Sequence, residues 1–166
     1  MLTLAALLAV IPAGPQSVAV RELFREACLE GKLTLNADRG KIVPRNDIPD
    51  SLRWMTISNS TTSRFTLIRM KEPPSTYVFI RNYDPDKSGF ARTDCSVASR
   101  VITFEDAAQQ FYEGTPDARP EPSTYGGIEW WEIDVPKQGY AKQLYKAGYN
   151  FTVLRTNVYG APSSKQ

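Results

Sequence analysis

The stretch Thr76–Tyr83, with the sequence TYVFIRNY, decides the fold class of this chain. Its β-branched and aromatic residues are typical of a β-strand. The preceding segment 63–70 alternates between two faces and carries apolar residues on both, which predicts a central strand. Segment 90–98 predicts a third strand. Because the connections between these segments are short, the three strands are expected to form an antiparallel meander.

Three later segments extend the predicted sheet. Segments 128–135 and 149–159 are rich in β-branched and aromatic residues, and each predicts a strand. Segment 140–147 is compatible with a helix or with a strand. The strand is favoured, because Ala147 and Gly148 would then form a hairpin turn into the last strand.

Two helices are predicted from apolar residues at helical spacing. Segment 17–30 has such a stripe, with Cys28 on it. The hydroxyl of Thr103 can cap a second helix that ends before Gly114. Segment 32–47 has no strong periodicity and predicts a loop. The expected fold is therefore α+β, an antiparallel sheet of five or six strands with two helices packed against it.

The amino-terminal residues are typical of an export signal. Segment 2–13, LTLAALLAVIPA, is uncharged and shorter than the ~20 residues that span a bilayer. Small residues allow cleavage after Ala19, or after Ala13. We expect residues 1–19 to be a signal peptide, 20–160 to form a single domain and 161–166 to be a disordered tail. The alternative is an amino-terminal helix or strand that stays in the fold.

The two cysteines, Cys28 and Cys95, are an even pair. An oxidising compartment would allow them to form a disulfide, which would stabilise the fold by about 4 kcal/mol in the chain-entropy model. The alternative is two separate buried thiols. Both the signal and the bridge predict a periplasmic or secreted protein without a transmembrane span in its mature chain.

Composition excludes several classes of function. The chain has no histidine, which excludes Ser-His-Asp and Cys-His catalysis and any metal site with histidine ligands. A net charge of +2 from scattered charges does not suggest a nucleic-acid partner. Four arginines lie within predicted strands, and neighbouring pairs of them could form a basic stripe or protect strand edges: Arg69, Arg81, Arg92 and Arg155. No cofactor is predicted.

A calcium loop is the first candidate site. Asp84, Asp86, Ser88 and Gly89 match the opening of such a loop, in which alternating oxygens face the ion. The twelfth position is Cys95 where a bidentate glutamate is required. A hairpin turn rich in Asp, Ser and Gly is therefore the favoured interpretation.

A carboxylate pair is the second candidate site. Glu132 and Asp134 share one face of a predicted strand with Trp130. Two carboxyls beside an aromatic ring are typical of glycan-cleaving enzymes, although these need the carboxyls on opposite sides of the bond that is cut. No catalytic residue is therefore assigned, and these two are retained as candidates.

Late aromatic residues are the third candidate site. Trp130, Trp131, Tyr140 and Tyr145 would make a partner surface if they shared an exposed face of the sheet, because Tyr and Trp anchor interfaces. The alternative is a packed sheet with aromatic pairs between its strands.

The order of these features resembles short, exported bacterial proteins with a two-cysteine pattern, especially those of alphaproteobacteria. The residues that carry the resemblance are the apolar leader, Leu23 and Phe24 with Cys28 on the first helix, 94–97 (DCSV) on a strand, the helix 103–113 and a late tryptophan. The resemblance implies export and a disulfide, and it implies no activity.

The expected function is that of a non-catalytic, exported binding module whose partner is another protein or an envelope glycan. The alternatives are a glycan or peptidoglycan hydrolase that uses Glu132 or Asp134, and a structural subunit of the envelope.

Overall fold

The computed structural model describes residues 14–56, 63–85, 91–112, 123–125, 128–135, 140–147 and 151–159. Side chains are described for fewer of these residues towards the carboxyl end, where Leu144 and residues 151–157 are the described ones beyond position 112. The predicted tail 161–166 and most of the predicted signal lie outside the described residues.

Two helices and two short 3-10 segments accompany the strands. Helix α1, Pro15–Phe24, continues directly into a π-helical turn, Arg25–Leu29, and helix α2 is Phe104–Tyr112. The 3-10 segments are Arg45–Asp47 and Asp50–Thr56. The strands are β1 Gly40–Ile42, β2 Ser63–Met70, β3 Thr76–Tyr83, β4 Arg92–Ser99, β5 Ser123–Tyr125, β6 Ile128–Val135, β7 Tyr140–Ala147 and β8 Phe151–Tyr159.

The strands form one sheet in the order β1-β2-β3-β4-β8-β7-β6-β5, and all the neighbouring pairs are antiparallel. Each half of the chain is a helix followed by four strands, and the last strands of the two halves, β4 and β8, meet at the centre. The predicted α+β fold, an antiparallel sheet with helices packed against it, is confirmed. The prediction of a strand for 140–147 and of a meander for β2, β3 and β4 is also correct.

The predicted loop 32–47 is wrong at one point, because it contains β1. Three residues are too few to show an alternating pattern, and this strand exists because β2 offers it a partner. Gly40 allows the two strands to approach closely, since a Cβ atom there would lie 2.7 Å from the carbonyl oxygen of Arg69.

One face of the sheet, which we call the helix face, is covered by α1, the π-helical turn and α2. The helices contribute a buried apolar stripe, as their spacing predicts. The core on this face contains Val20, Leu23, Phe24, Ala27, Ile68, Met70, Val78, Val97, Ile102, Ala107, Leu144 and Leu154.

The opposite face, which we call the loop face, is covered by segment 43–56. Its apolar cluster consists of Val43, Ile48, Leu52, Met55, Leu67, Tyr77, Phe79, Ala98, Phe151 and Val153. Both faces of β2 and β3 are covered, and these strands are accordingly apolar on both sides. This explains why the sequence of β2 predicts a strand inside the sheet.

A disulfide joins Cys28, on the π-helical turn, to Cys95, on β4. The predicted bridge is therefore present, and it ties the first helical segment to a central strand of the sheet. Both residues are buried within the core of the helix face.

The amino-terminal end of α1 is part of this packing. Ser17 is buried, and its hydroxyl donates a hydrogen bond of 2.7 Å to Asp106 on α2. Cleavage after Ala19 would remove this contact and half of the helix, whereas cleavage after Ala13 would leave both intact. Within the described residues, no helix is long and apolar enough to cross a membrane.

Candidate functional site

A cluster of charged side chains lies on the loop face around Asp94. This carboxylate is 5% exposed and accepts hydrogen bonds from three side chains. Arg92 donates two of them, at 2.6 and 3.0 Å, Arg155 donates one at 2.7 Å, and the hydroxyl of Tyr83 donates one at 2.9 Å. The cost of burying the carboxylate is offset by these charge-assisted bonds.

A second buried charge, Arg81, lies beside this cluster. Its guanidinium donates a 3.0 Å hydrogen bond to the carbonyl oxygen of Met55 and contacts the ring of Phe65 at 5.4 Å. Arg81, Asp94 and Arg155 are among the residues that line a small cavity of about 20 Å³. This is enough volume for about one water molecule and too little for an organic substrate.

Strand register explains why these residues meet. Arg81 pairs with Asp94 across β3 and β4, and Asp94 pairs with Asn157 on β8. Paired residues share a face, and so does every second residue of a strand, which places Arg155 and Arg92 on the loop face as well. The carboxylate is thus saturated by internal partners, and the Asp94 cluster is suited to fixing β3, β4 and β8 rather than to proton transfer.

A different kind of site lies at the β1 edge of the sheet. A groove of about 660 Å³ is lined there by Ala37, Gly40, Lys41, Arg69, Met70, Lys71, Pro74 and Ser75. We call this the basic groove, because Lys41, Arg69 and Lys71 are all exposed and no carboxylate is among the lining residues. Two exposed acidic residues adjoin the lining in sequence: Asp38 follows Ala37, and Glu72, which lines a separate cavity beside α1, follows Lys71.

The three cations of the basic groove differ from several other cations of the chain in having no ion pair within the part that the structure describes. Arg39, Arg53 and Arg155 each form an ion pair with a carboxylate, at 2.6, 2.8 and 2.7 Å. Among the described residues, no ion pair involves Lys41, Arg69 or Lys71. The groove therefore presents three positive charges that are available to an external anion.

The four arginines of the predicted strands fall into two groups. Arg92 and Arg155 belong to the Asp94 cluster with Arg81 beside it, and Arg69 belongs to the basic groove. Neither site is predicted from the sequence. The signal that could have found them was charged residues at alternate positions of otherwise apolar strands, but the partner strands were needed to group them.

The predicted carboxylate candidates lie on β6. The backbone register places Glu132 opposite Gln143 and Asp134 opposite Ala141. These positions belong to the loop face, two strands away from Arg155 and Asn157. Their side chains are not among the described ones, and their catalytic role stays a prediction.

The register divides the four predicted aromatic residues between the two faces. Trp130 is opposite Tyr145, on the loop face. Trp131 is opposite Leu144, whose side chain is buried in the core of the helix face, and Tyr140 is opposite Val158 on that same face. The strand pairing therefore does not bring all four positions together on one face.

The predicted calcium ligands fall largely outside the described residues. Asp84 is exposed at the end of β3, while Asp86 and Ser88 lie in segment 86–90, which the structure does not describe. In the described part of the chain, no group of three or more acidic or cysteine residues is arranged to hold a metal ion.

Comparison with known proteins adds no family to these observations: no family model matches the chain, and no curated protein or solved structure is significantly similar to it. The resemblance to exported alphaproteobacterial proteins stays a prediction.

Proposed function

We propose that this chain is an exported, disulfide-stabilised protein that binds an anionic partner molecule through the basic groove and catalyses no reaction of its own. The groove is the observation that carries this proposal. A large cavity and several cations without ion pairs among the described residues coincide there.

Two features support export. The apolar leader in segment 2–13 is typical of a secretory signal, and disulfides persist in oxidising compartments. The bridge closes a loop of 67 residues between a helix and the sheet, which is the kind of constraint that small exported proteins use for stability.

Electrostatics supports binding at the groove. Three cations in one concave surface attract an anion cooperatively and raise its association rate. Gly40 and the buried Met70, which are paired between β1 and β2, are among the lining residues, so the sheet holds part of the groove's shape. Affinity from such contacts is screened by salt, because the charges are exposed.

The test is site-specific photo-crosslinking in the organism that makes the protein. A photoreactive residue replaces Lys71 in one variant and Lys32, an exposed cation that does not line the groove, in the control. We expect one discrete crosslinked product from position 71, lost when Lys41→Glu and Arg69→Glu are added, and none from position 32. Equal crosslinking at both positions, or none at position 71, would contradict the proposal.

A further inference from the structure

The strand β1 forms one edge of the sheet, and its hydrogen bonds to β2 leave part of its backbone directed outwards. The N–H of Val43 donates to the carbonyl of Leu67 at 3.0 Å, and the N–H of Lys71 donates to the carbonyl of Arg39 at 2.9 Å. Because backbone groups alternate in an antiparallel pair, the odd-numbered residues here bond to β2. Ile42 therefore directs its N–H and C=O away from the sheet.

The side chains along this edge differ in chemistry between the two faces of the sheet. Lys41 is paired with Arg69, so both are placed on the loop face beside the basic groove. Ile42 is paired with Ile68 on the helix face, and it is 65% exposed, the most exposed large apolar residue among those described. The edge thus offers cations on one side, an apolar side chain on the other and open backbone groups between them.

A second copy of this chain does not fit this edge. Antiparallel pairing of two β1 strands about a two-fold axis normal to the sheet would place the same faces side by side. Lys41 and Arg69 of one copy would then lie beside the same cations of the other. Like charges opposite one another are destabilising, and lysine on an edge strand acts against such pairing.

We propose that the occupant is an extended segment of a partner protein that adds to β1 as an antiparallel strand, with acidic and apolar residues in alternation. In an added strand, alternate side chains lie on opposite faces of the sheet. Its acidic residues would then contact Lys41, Arg69 and Lys71, and its apolar residues would contact Ile42. The N–H of Ile42 donates to a carbonyl of the segment, and the C=O of Ile42 accepts from a segment N–H.

This inference rests on the proposed function and deepens it, since it names the partner of the basic groove. The probe is a fluorescein-labelled peptide of alternating glutamate and valine, titrated with the disulfide-bonded full chain and followed by fluorescence polarisation. A peptide of alternating glutamate and proline has the same charge spacing but lacks half of the backbone N–H groups and cannot pair as a strand. We expect the valine peptide to bind at low salt and the proline peptide to bind at least about tenfold more weakly, because it loses several backbone bonds.

Two substitutions separate the backbone from the charges. Ile42→Pro removes the outward N–H, and because that N–H takes no part in the β1–β2 bonds, the edge strand tolerates the change. Ile42→Thr keeps the N–H and the preference for a strand. We expect Ile42→Pro to weaken binding about fivefold relative to Ile42→Thr, as for the loss of one hydrogen bond. Lys41→Glu should weaken binding by a similar factor, and Lys32→Glu, with the same change in net charge, should leave it unchanged.

Each outcome decides between the two proposals. If the valine and proline peptides bind equally and both depend on Lys41, the basic groove recognises charge alone, and strand addition is wrong while the proposed function stands. Stronger binding by an anionic glycan such as heparin than by the valine peptide would also overturn strand addition. If neither peptide nor heparin responds to Lys41→Glu, the basic groove itself is not a binding site.

Discussion

Both faces of the sheet are covered, but by different elements and over different kinds of side chain. The helix face is closed by α1, α2 and a disulfide over an apolar core, and its buried polar residues, among them Thr76, Ser99 and Thr156, are uncharged. The loop face is closed by segment 43–56 and holds two buried charges, Asp94 and Arg81, beside its apolar cluster. Apolar packing needs no particular partner for each residue, whereas a buried charge needs specific partners at specific positions. We therefore expect substitutions on the two faces to lower the free energy of unfolding for different physical reasons.

The disulfide on the helix face should carry the largest single effect. Replacing both Cys28 and Cys95 by alanine should lower the free energy of unfolding by about 4 kcal/mol, because the unfolded chain is no longer constrained by a loop of 67 residues. Urea unfolding followed by circular dichroism measures this loss. Reduction of the unmodified protein should produce a loss of similar size, and identical stability of the oxidised and reduced protein would show that the bridge contributes nothing.

The Asp94 cluster on the loop face should come next. Asp94→Ala should cost about 3 kcal/mol, because it leaves the largely buried guanidinium of Arg155 without its carboxylate. The matched control is Asp50→Ala, which removes an exposed carboxylate from its ion pair with Arg53 and should cost less than about 0.5 kcal/mol. Similar losses for the two variants in the same urea experiment would remove the distinction between a buried and an exposed ion pair.

Two buried serine hydroxyls allow hydrogen bonding on the two faces to be compared. Ser17→Ala, on the helix face, should cost about 1 kcal/mol, because Asp106 loses the hydroxyl that it accepts from. The hydroxyl of Ser51, on the loop face, is buried and forms no hydrogen bond within the described residues. Ser51→Ala should therefore be neutral or stabilising, and thermal melts of the two variants check the difference. A larger loss for Ser51→Ala would reverse this assignment.

The smallest expected effect depends on pH. The two-point hydrogen bonds from Arg39, at 2.7 and 2.6 Å, hold the pKa of Glu26 below its usual range. A carboxyl with a lowered folded-state pKa contributes stability above its unfolded pKa, and that contribution disappears as the pH falls through the folded value. At neutral pH we expect Glu26→Gln to cost at most about 1 kcal/mol, since the pair is about one-third exposed.

The measurement for Glu26 is the difference in unfolding free energy between the unmodified protein and Glu26→Gln at pH 7 and again at about pH 3. The difference should shrink at the acidic pH. Asp84→Asn, at an exposed residue that forms no ion pair within the described chain, is the control and should show little difference at either pH. A difference that grows with acidity would contradict the assignment.

The elements themselves could be predicted because their signals are local. The bounds of β3 and β6 agree with the predicted segments, and the hydroxyl of Thr103 accepts from the N–H of Asp106 at 3.1 Å, as a cap should. The elements that were not predicted, or whose bounds were predicted inaccurately, are those without a local sequence signal. Strand β1 is too short for a pattern, and the helix predicted for 17–30 begins earlier and ends in a π-helical turn.

Sites were less predictable than elements. The candidates chosen from sequence, such as Glu132 and Asp134, are close to each other along the chain. The Asp94 cluster instead joins residues from three strands, with Arg155 and Asp94 separated by 61 positions. The basic groove likewise needs β1, β2 and the following turn to be placed beside one another.

The sequence by itself determined the α+β class, the antiparallel hairpins, the apolar stripe that carries Cys28 and the absence of histidine chemistry. These follow from composition, periodicity and short connections, which act over a few residues at a time. The tertiary structure alone decided that β8 pairs with β4, that Asp94 meets Arg155 and that β1 leaves an open edge beside three cations. Pairing between strands that are distant along the chain depends on how both faces of the whole sheet are covered, and no local pattern encodes that balance.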